Sequence, residues 1–264
     1  MRRVPVRGCE LAYELSGEGP DVIWGHGLTS SMASEDARGW IDWDRIRTTR
    51  RVLRYDARGH GESASTADPD DYSWANLARD QLALADALGV ARYVAAGASM
   101  GCATALHAAV QAPDRIEALI LVVPPTAWAT RAAQVGTYRA MADLIEAGDH
   151  ATLLRGASAN PPPDPLVDDP ALQTEFAELL VNTDPVRLGR VFRGAGTADL
   201  PDPTQLAIDI PTLILGWTGD AGHPVQTAAR LQELIPNAEL ALATTPAGVA
   251  AWTDRMMAFL RDRR

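Results

Sequence analysis

Short apolar runs alternate along this chain with glycine-bearing turns and with longer stretches of helical spacing, the order that a mostly parallel sheet covered by helices produces. Residues 4–6 and 10–15, joined through Arg7-Gly8, read as an opening hairpin. Residues 21–24 form a compact buried strand that runs into Gly25-His26-Gly27, and residues 51–55 form another that ends at Asp56 and at Arg58-Gly59-His60-Gly61. Between 72 and 88 the leucines Leu77, Leu84 and Leu88 recur at helical spacing while Arg79, Asp80 and Asp86 fall elsewhere, so an amphipathic helix is predicted, stopped by Gly89. Residues 92–96 are the next strand. A helix rich in Ala103, Ala105, Ala108 and Ala109 follows over 100–111, small enough to lie close against a sheet and ending before Pro113. Residues 116–123 make one more buried strand.

The pattern changes at Pro124-Pro125. From there to about residue 202 the spacing is helical (131–147, 171–181), interrupted by Pro161-Pro162-Pro163 and Pro165, with no strand signal. The segment is too apolar to be a disordered linker and reads as a helical insertion covering the sheet. Alternation then resumes with a strand at 210–215, a helix at 224–235, a strand at 239–243 and a last helix at 247–261. The expected organisation is an α/β core made of 1–124 and 203–264, with a helical cap at 125–202.

Composition narrows the partners. The chain has 264 residues, 47% of them hydrophobic, enough for one substantial core. Its 24 basic and 34 acidic side chains give a net charge of −10, which leaves little basic surface to neutralise phosphates. Nucleic acid and anionic membranes are therefore poor partners, and a small neutral or apolar substrate fits better. Arg2 and Arg3 are not followed by the apolar run of a signal peptide or a span, so a cytoplasmic location is expected. Cys9 and Cys102 read as buried small hydrophobes, too few for a disulfide framework. No pair of the five histidines has metal-ligand spacing on one helix face, so neither a metal nor another cofactor is expected.

The chemistry concentrates at Gly97-Ala98-Ser99-Met100-Gly101, which follows a predicted strand and opens a predicted helix. A sharp strand-to-helix turn needs small residues on both sides of the serine, lifts its hydroxyl into the open, and sets a helix N-terminus with unpaired N–H groups behind it. In this feature the chain resembles the α/β-hydrolase family. Gly25-His26-Gly27-Leu28 is similar to that family's oxyanion loop, and the stretch from Tyr55 to Ser63 to its glycine loop. The resemblance implies a serine nucleophile at Ser99, an oxyanion hole built from the amides of Leu28 and Met100, and an orienting carboxylate at Asp220 in Gly216-Trp217-Thr218-Gly219-Asp220. It also implies that the helical insertion shapes substrate choice.

The family's histidine is expected after the last strand, and the stretch from Leu240 to Trp252 contains none. A shortened loop accounts for this better than a point substitution. His223, three residues past Asp220 and preceded by Gly222, is the alternative base. His26 and His60 match structural positions of the two loops, with His26 a candidate for the substrate wall, while His107 and His150 read as packing or surface residues. Trp128 and Trp217 are the aromatic candidates for substrate contact. The leading expectation is a cofactor-independent serine hydrolase acting on an ester, lactone or related acyl group. A non-hydrolytic ligand-binding protein, or a lyase on the same scaffold, remains the alternative because the usual base is absent.

Overall fold

A computed structural model describes residues 1–169 and 171–261. The opening hairpin pairs β1 (Arg2–Val6) with β2 (Cys9–Ser16), turning at Arg7 and Gly8, both at positive φ. The remaining strands are β3 (Asp21–Gly25), β4 (Arg51–Tyr55), β5 (Tyr93–Ala98), β6 (Ile116–Val122), β7 (Thr212–Trp217) and β8 (Ala238–Ala243). They form one sheet in the order β1-β2-β4-β3-β5-β6-β7-β8, parallel throughout except for the β1–β2 and β2–β4 pairs.

Side chains alternate between the faces of this sheet, as a pleated strand with both faces covered requires. Val22 and Trp24 of β3, Val94 and Ala96 of β5, and Leu213, Leu215 and Trp217 of β7 belong to one buried cluster. Ile23, Ala95 and Ile214, from the same strands, belong to the other.

Two short helices, α1 (Met32–Arg38) and α2 (Trp43–Arg47), lie between β3 and β4. They are followed by α3 (Trp74–Ala87) and α4 (Met100–Gln111). Between β6 and β7 come α5 (Arg131–Glu146), α6 (His150–Ser158), α7 (Ala171–Asn182) and α8 (Pro185–Ala195). The chain closes with α9 (Val225–Leu234), α10 (Pro246–Ala250) and α11 (Trp252–Arg261). Residues of α3, α4 and α9 pack in the cluster that contains Ile23, and residues of α2, α10 and α11 in the cluster that contains Trp24.

Several elements depart from the pattern reading. Residues 28–50 gave no helical signal, because α1 and α2 are too short to establish a period. Local caps hold α1 instead: the Ser31 hydroxyl accepts from Ser34 N, the Ser34 hydroxyl accepts from Ser31 N, and Gly39 ends the helix at φ 65°. The helix expected to begin at 72 begins at Trp74, since Ser73 is extended and a 3-10 turn over Pro69–Tyr72 precedes it. The last helix divides at Ala251 into α10 and α11. Within 125–202 the described residues form helices and turns, with no strand among them. The spacing of apolar residues does not mark α6 or α8, although α8 starts with the legible pair Asp184 as N-cap and Pro185.

The topology fixes where a site can lie. From β3 the chain steps to β4 on one side and returns through β5 on the other, which opens a crevice at the carboxyl ends of these strands. Among the described residues no helix is long and apolar enough to cross a membrane.

Candidate active site

Ser99 sits between β5 and α4 with φ 51° and ψ −106°, a conformation that costs a non-glycine residue about 1–3 kcal/mol and persists only where the surroundings impose it. Here they do. Ser99 N donates to Val122 O (2.9 Å) on β6, and Ser99 O accepts from Ala103 N (3.1 Å) in the first turn of α4. The two flanking glycines are required by close approach. A Cβ on Gly101 would lie 1.9 Å from Gly25 O, and one on Gly97 would lie 2.5 Å from Gly101 C and 2.6 Å from Gly25 O. The helix N-terminus is thus pressed against the ends of β3 and β5, and no side chain fits between them.

The loop from β7 to α9 carries the next two groups. Asp220 Oδ1 accepts from Gly222 N (2.7 Å) and His223 N (3.3 Å), folding the loop back on itself, and Gly222 O accepts from Thr126 N (3.0 Å), tying it to the segment after β6. Asp220 Oδ2 lies 2.7 Å from His223 Nδ1 and accepts from Trp217 Nε1 (2.9 Å). His223 Nε2 lies 2.8 Å from Ser99 Oγ. A carboxylate can only accept, so in the neutral ring Nδ1 carries the proton and Nε2 presents its lone pair to the serine hydroxyl. Burial pushes the Asp220 carboxyl up, but the hydrogen bond and charge of His223, with the donors Gly222 and Trp217, outweigh it and hold the group at about 2. The carboxylate is therefore ionised at neutral pH. Serine, imidazole and carboxylate form one connected chain, with the last two drawn from a single loop.

The segment after β8 holds no histidine and has no room for a loop. Only Thr244 and Thr245 separate β8 from α10, Thr245 caps the helix, and a Cβ on Gly248 would lie 3.0 Å from Ala243 Cβ. Trp217 and Trp252 stack beside this junction, ring centroids 5.7 Å apart, and Trp217 meets the His223 ring edge-on at 6.0 Å.

Ser99 and His223 open into a cavity of about 620 Å³. Leu28, Tyr138, Met141, Leu153, Phe176 and Phe192 line it, several of them from α5 to α8. Trp24, Trp40, Trp43, Trp217 and Trp252, which pack together in the cluster that contains Val22, line it as well. Met100 is the first residue of α4, so its N–H has no partner within the helix. The Leu28 amide belongs to the loop beside the elbow, where a Cβ on Gly27 would touch Ser99 Cβ at 3.7 Å.

Two candidates for the substrate wall lie elsewhere. His26 is buried behind the wall: Nδ1 donates to Gly27 O (2.7 Å) and Nε2 accepts from Ala57 N (2.9 Å), so both ring nitrogens are committed to holding loops together. Burial pushes its pKa down, which keeps it neutral. Trp128 is turned toward the segment before β7, with N donating to Asp199 and Nε1 donating to Pro201 O (3.0 Å). Neither residue lines the cavity; Trp217 does. His60 Nε2 lies 2.8 Å from Leu28 O and Nδ1 lies 2.9 Å from Arg58 O; burial with the neighbouring His26 pushes its pKa down to about 3, and the neutral ring, packed between the two carbonyls, donates to one of them. His107 contacts Asp199 O (2.9 Å), a packing role.

The residues that pattern reading missed are Glu35, Arg38, Trp40 and Trp43, all on the cavity wall. They belong to α1, α2 and the link between them, where only the cap signals of Ser31 and Asp42 were available. Among the described residues no group of His, Cys, Asp and Glu is arranged to hold a metal ion.

Known proteins resemble this chain along most of its length. A family model described as the α/β hydrolase fold matches residues 26–246. An sn-1-specific diacylglycerol lipase of Mus musculus is 32% identical over 146 residues, 53% of this chain. The match spans 45% of the length of that lipase, so less than half of the relative is represented. A Pseudomonas savastanoi pv. phaseolicola protein bearing the provisional name carbamate hydrolase RutD is 30% identical over 224 residues, covering 81% of this chain and 83% of its own. The crystal structure of the enol-lactonase from Burkholderia xenovorans superimposes with a TM-score of 0.74 at 25% identity, covering 98% of this chain and 100% of that one.

Proposed function

The chain belongs to the α/β hydrolase fold family, and from that premise we propose that it is a cofactor-independent serine hydrolase that cleaves an ester, lactone or related acyl bond. The observation that carries this reading is the unbroken hydrogen-bonded chain from Ser99 Oγ through His223 to Asp220 at the wall of a largely apolar cavity. A serine hydroxyl is a weak nucleophile at neutral pH unless a base stands within hydrogen-bond reach, and His223 Nε2 stands there.

In this mechanism Ser99 Oγ attacks the acyl carbon as its proton passes to His223 Nε2. The carbonyl oxygen takes up the negative charge against the amides of Leu28 and Met100. The same proton then goes to the leaving alcohol as the bond to the acyl carbon breaks. Water, deprotonated by His223 in turn, cleaves the acyl-enzyme and restores the serine. Asp220 keeps the ring in the required tautomer and offsets the charge of the imidazolium. Residues 125–202 act as a cap whose helices set the shape of the acceptable substrate, a small and mainly apolar acyl compound. The names of the lipase, the lactonase and the carbamate hydrolase support the acyl class, since all three act on a carbonyl carbon bearing a heteroatom leaving group.

Incubation with a panel of short aryl esters and lactones in heavy-oxygen water tests the reaction class. Hydrolysis through an acyl-enzyme places one heavy oxygen in the carboxylic acid and none in the alcohol, read by mass spectrometry. A protein that binds these compounds and releases no acid, or that returns a product of carbon–carbon cleavage, would contradict the proposal in favour of a ligand-binding or lyase role.

A further inference from the structure

The cavity lining comes from two packing groups. Tyr138, Met141, Leu153, Phe176 and Phe192 of α5 to α8 pack in the cluster that contains Ile23; Trp24, Trp40, Trp43, Trp217 and Trp252 pack in the cluster that contains Val22 and make up a tryptophan lobe. Its indoles hold one another in place: Trp24 meets Trp43 edge-on at 5.0 Å, Trp40 meets Trp217 edge-on at 5.3 Å, and Trp217 stacks on Trp252. Rigid flat walls of this kind favour a flat guest, because edge and face contacts between rings need little further ordering.

Besides Asp220, which Trp217 and His223 already hold, a second carboxylic side chain lines the cavity. Glu35, on α1, lines the cavity with its side chain only 12% exposed. Its Oε2 accepts from Trp24 Nε1 (2.8 Å) and lies 3.7 Å from Arg54 NH2. No described residue donates a hydrogen bond to Oε1. Oε1 is not sealed off from the cavity and has a free lone pair with which to accept a hydrogen bond from a guest there.

We propose that the tryptophan lobe is a substrate subsite for a flat ring bearing a neutral hydrogen-bond donor, a hydroxyl or an amide N–H, which Glu35 accepts. The subsite is that of the hydrolase proposed above and rests on that reading. A cationic guest is disfavoured, because the guanidinium of Arg54 already lies over the Trp43 ring (4.7 Å) and that of Arg38 over the Trp40 ring (5.1 Å). An anionic guest would face Glu35 itself.

The charge of Glu35 gives the subsite a second signature. Burial pushes its carboxyl up to about 7, against the opposing effects of Arg54 on β4, the Trp24 hydrogen bond and Arg38 on α1, with Asp36 of α1 adding to the rise. The ionised form is the stronger acceptor, so the preference for a donor on the ring increases with pH across this range.

Binding to the Ser99→Ala protein tests the subsite independently of turnover, with 2-naphthol and its methyl ether as matched probes followed by ligand fluorescence or equilibrium dialysis. The naphthol is expected to bind about tenfold more tightly than the ether, which lacks the donor. Glu35→Leu should erase that preference. Should Glu35→Leu fail to fold, Glu35→Gln decides: it keeps an acceptor, so the preference should persist while losing its rise between about pH 6 and about pH 8. Equal binding of the two probes, a preference that survives Glu35→Leu, or the same pH dependence in Glu35→Gln would overturn the subsite. Naphthol selectivity in a protein that hydrolyses no acyl bond would instead overturn the hydrolase reading and leave the subsite standing.

Discussion

Replacing Ser99 or His223 by alanine is expected to lower kcat on a short p-nitrophenyl ester by between about ten-thousand-fold and about a million-fold, with the double variant losing no more than the worse single one. The effects do not add because the two groups act as a unit. Without the imidazole the hydroxyl keeps its proton, and without the hydroxyl the imidazole has nothing to activate but water. What remains in each variant is binding and the oxyanion site. KM should change little, since neither side chain supplies the apolar walls that hold the substrate. A His223→Ala variant with full activity would show that another base serves Ser99, and parallel assays of all three proteins check it.

The second large effect is expected at Asp220. Asp220→Asn keeps the shape of the loop but offers an N–H where an acceptor was, so the histidine is driven to the tautomer with its proton on Nε2. That tautomer cannot accept from Ser99 Oγ, 2.8 Å away. A loss of about ten-thousand-fold in kcat follows by analogy with the same change in other triads. The wild-type pH–rate profile separates the two roles. With its carboxyl held at about 2, below the ordinary aspartate value of 3.8, Asp220 is ionised throughout the neutral range. Its stabilisation of the folded state is complete above the unfolded value and is lost only as pH falls through the folded one. Any loss of rate well above pH 2 therefore belongs to other groups.

Much of this architecture was written in the chain. Val22 and Trp24 against Ile23, and Val94 and Ala96 against Ala95, alternate as strands buried on both faces must, and Gly97 and Gly101 announced a contact too close for any side chain. The base is harder to read. A histidine three residues from its carboxylate is an unremarkable pattern in sequence. What brings His223 over Ser99 is the fold of the loop around Asp220 Oδ1 and its tie to Thr126, contacts between distant parts of the chain. The absence of a histidine after β8, by contrast, was visible directly, and the two-residue link into α10 is its structural counterpart.

The wall residues mark the other limit. His26 and Trp128 lie near the right loops, but backbone groups pair with their ring polar atoms, and both rings are turned from the cavity. Glu35 and Trp43 were overlooked because helices as short as α1 and α2 are held by caps and tertiary packing, which leave no period to detect. Residues that line a cavity from short elements obey the geometry of the pocket, and no spacing rule exposes them.

The central claim is that the hydroxyl at residue 99 is made nucleophilic by an imidazole from the β7–α9 loop. Intact-protein mass spectrometry after exposure to a fluorophosphonate at neutral pH reads this directly, with peptide mapping of the adduct. The account predicts one phosphonyl group per chain, on Ser99, formed rapidly in the wild type and slowed at least a thousandfold or so in His223→Ala. Absence of labelling at Ser99, or labelling at an undiminished rate without His223, would contradict it.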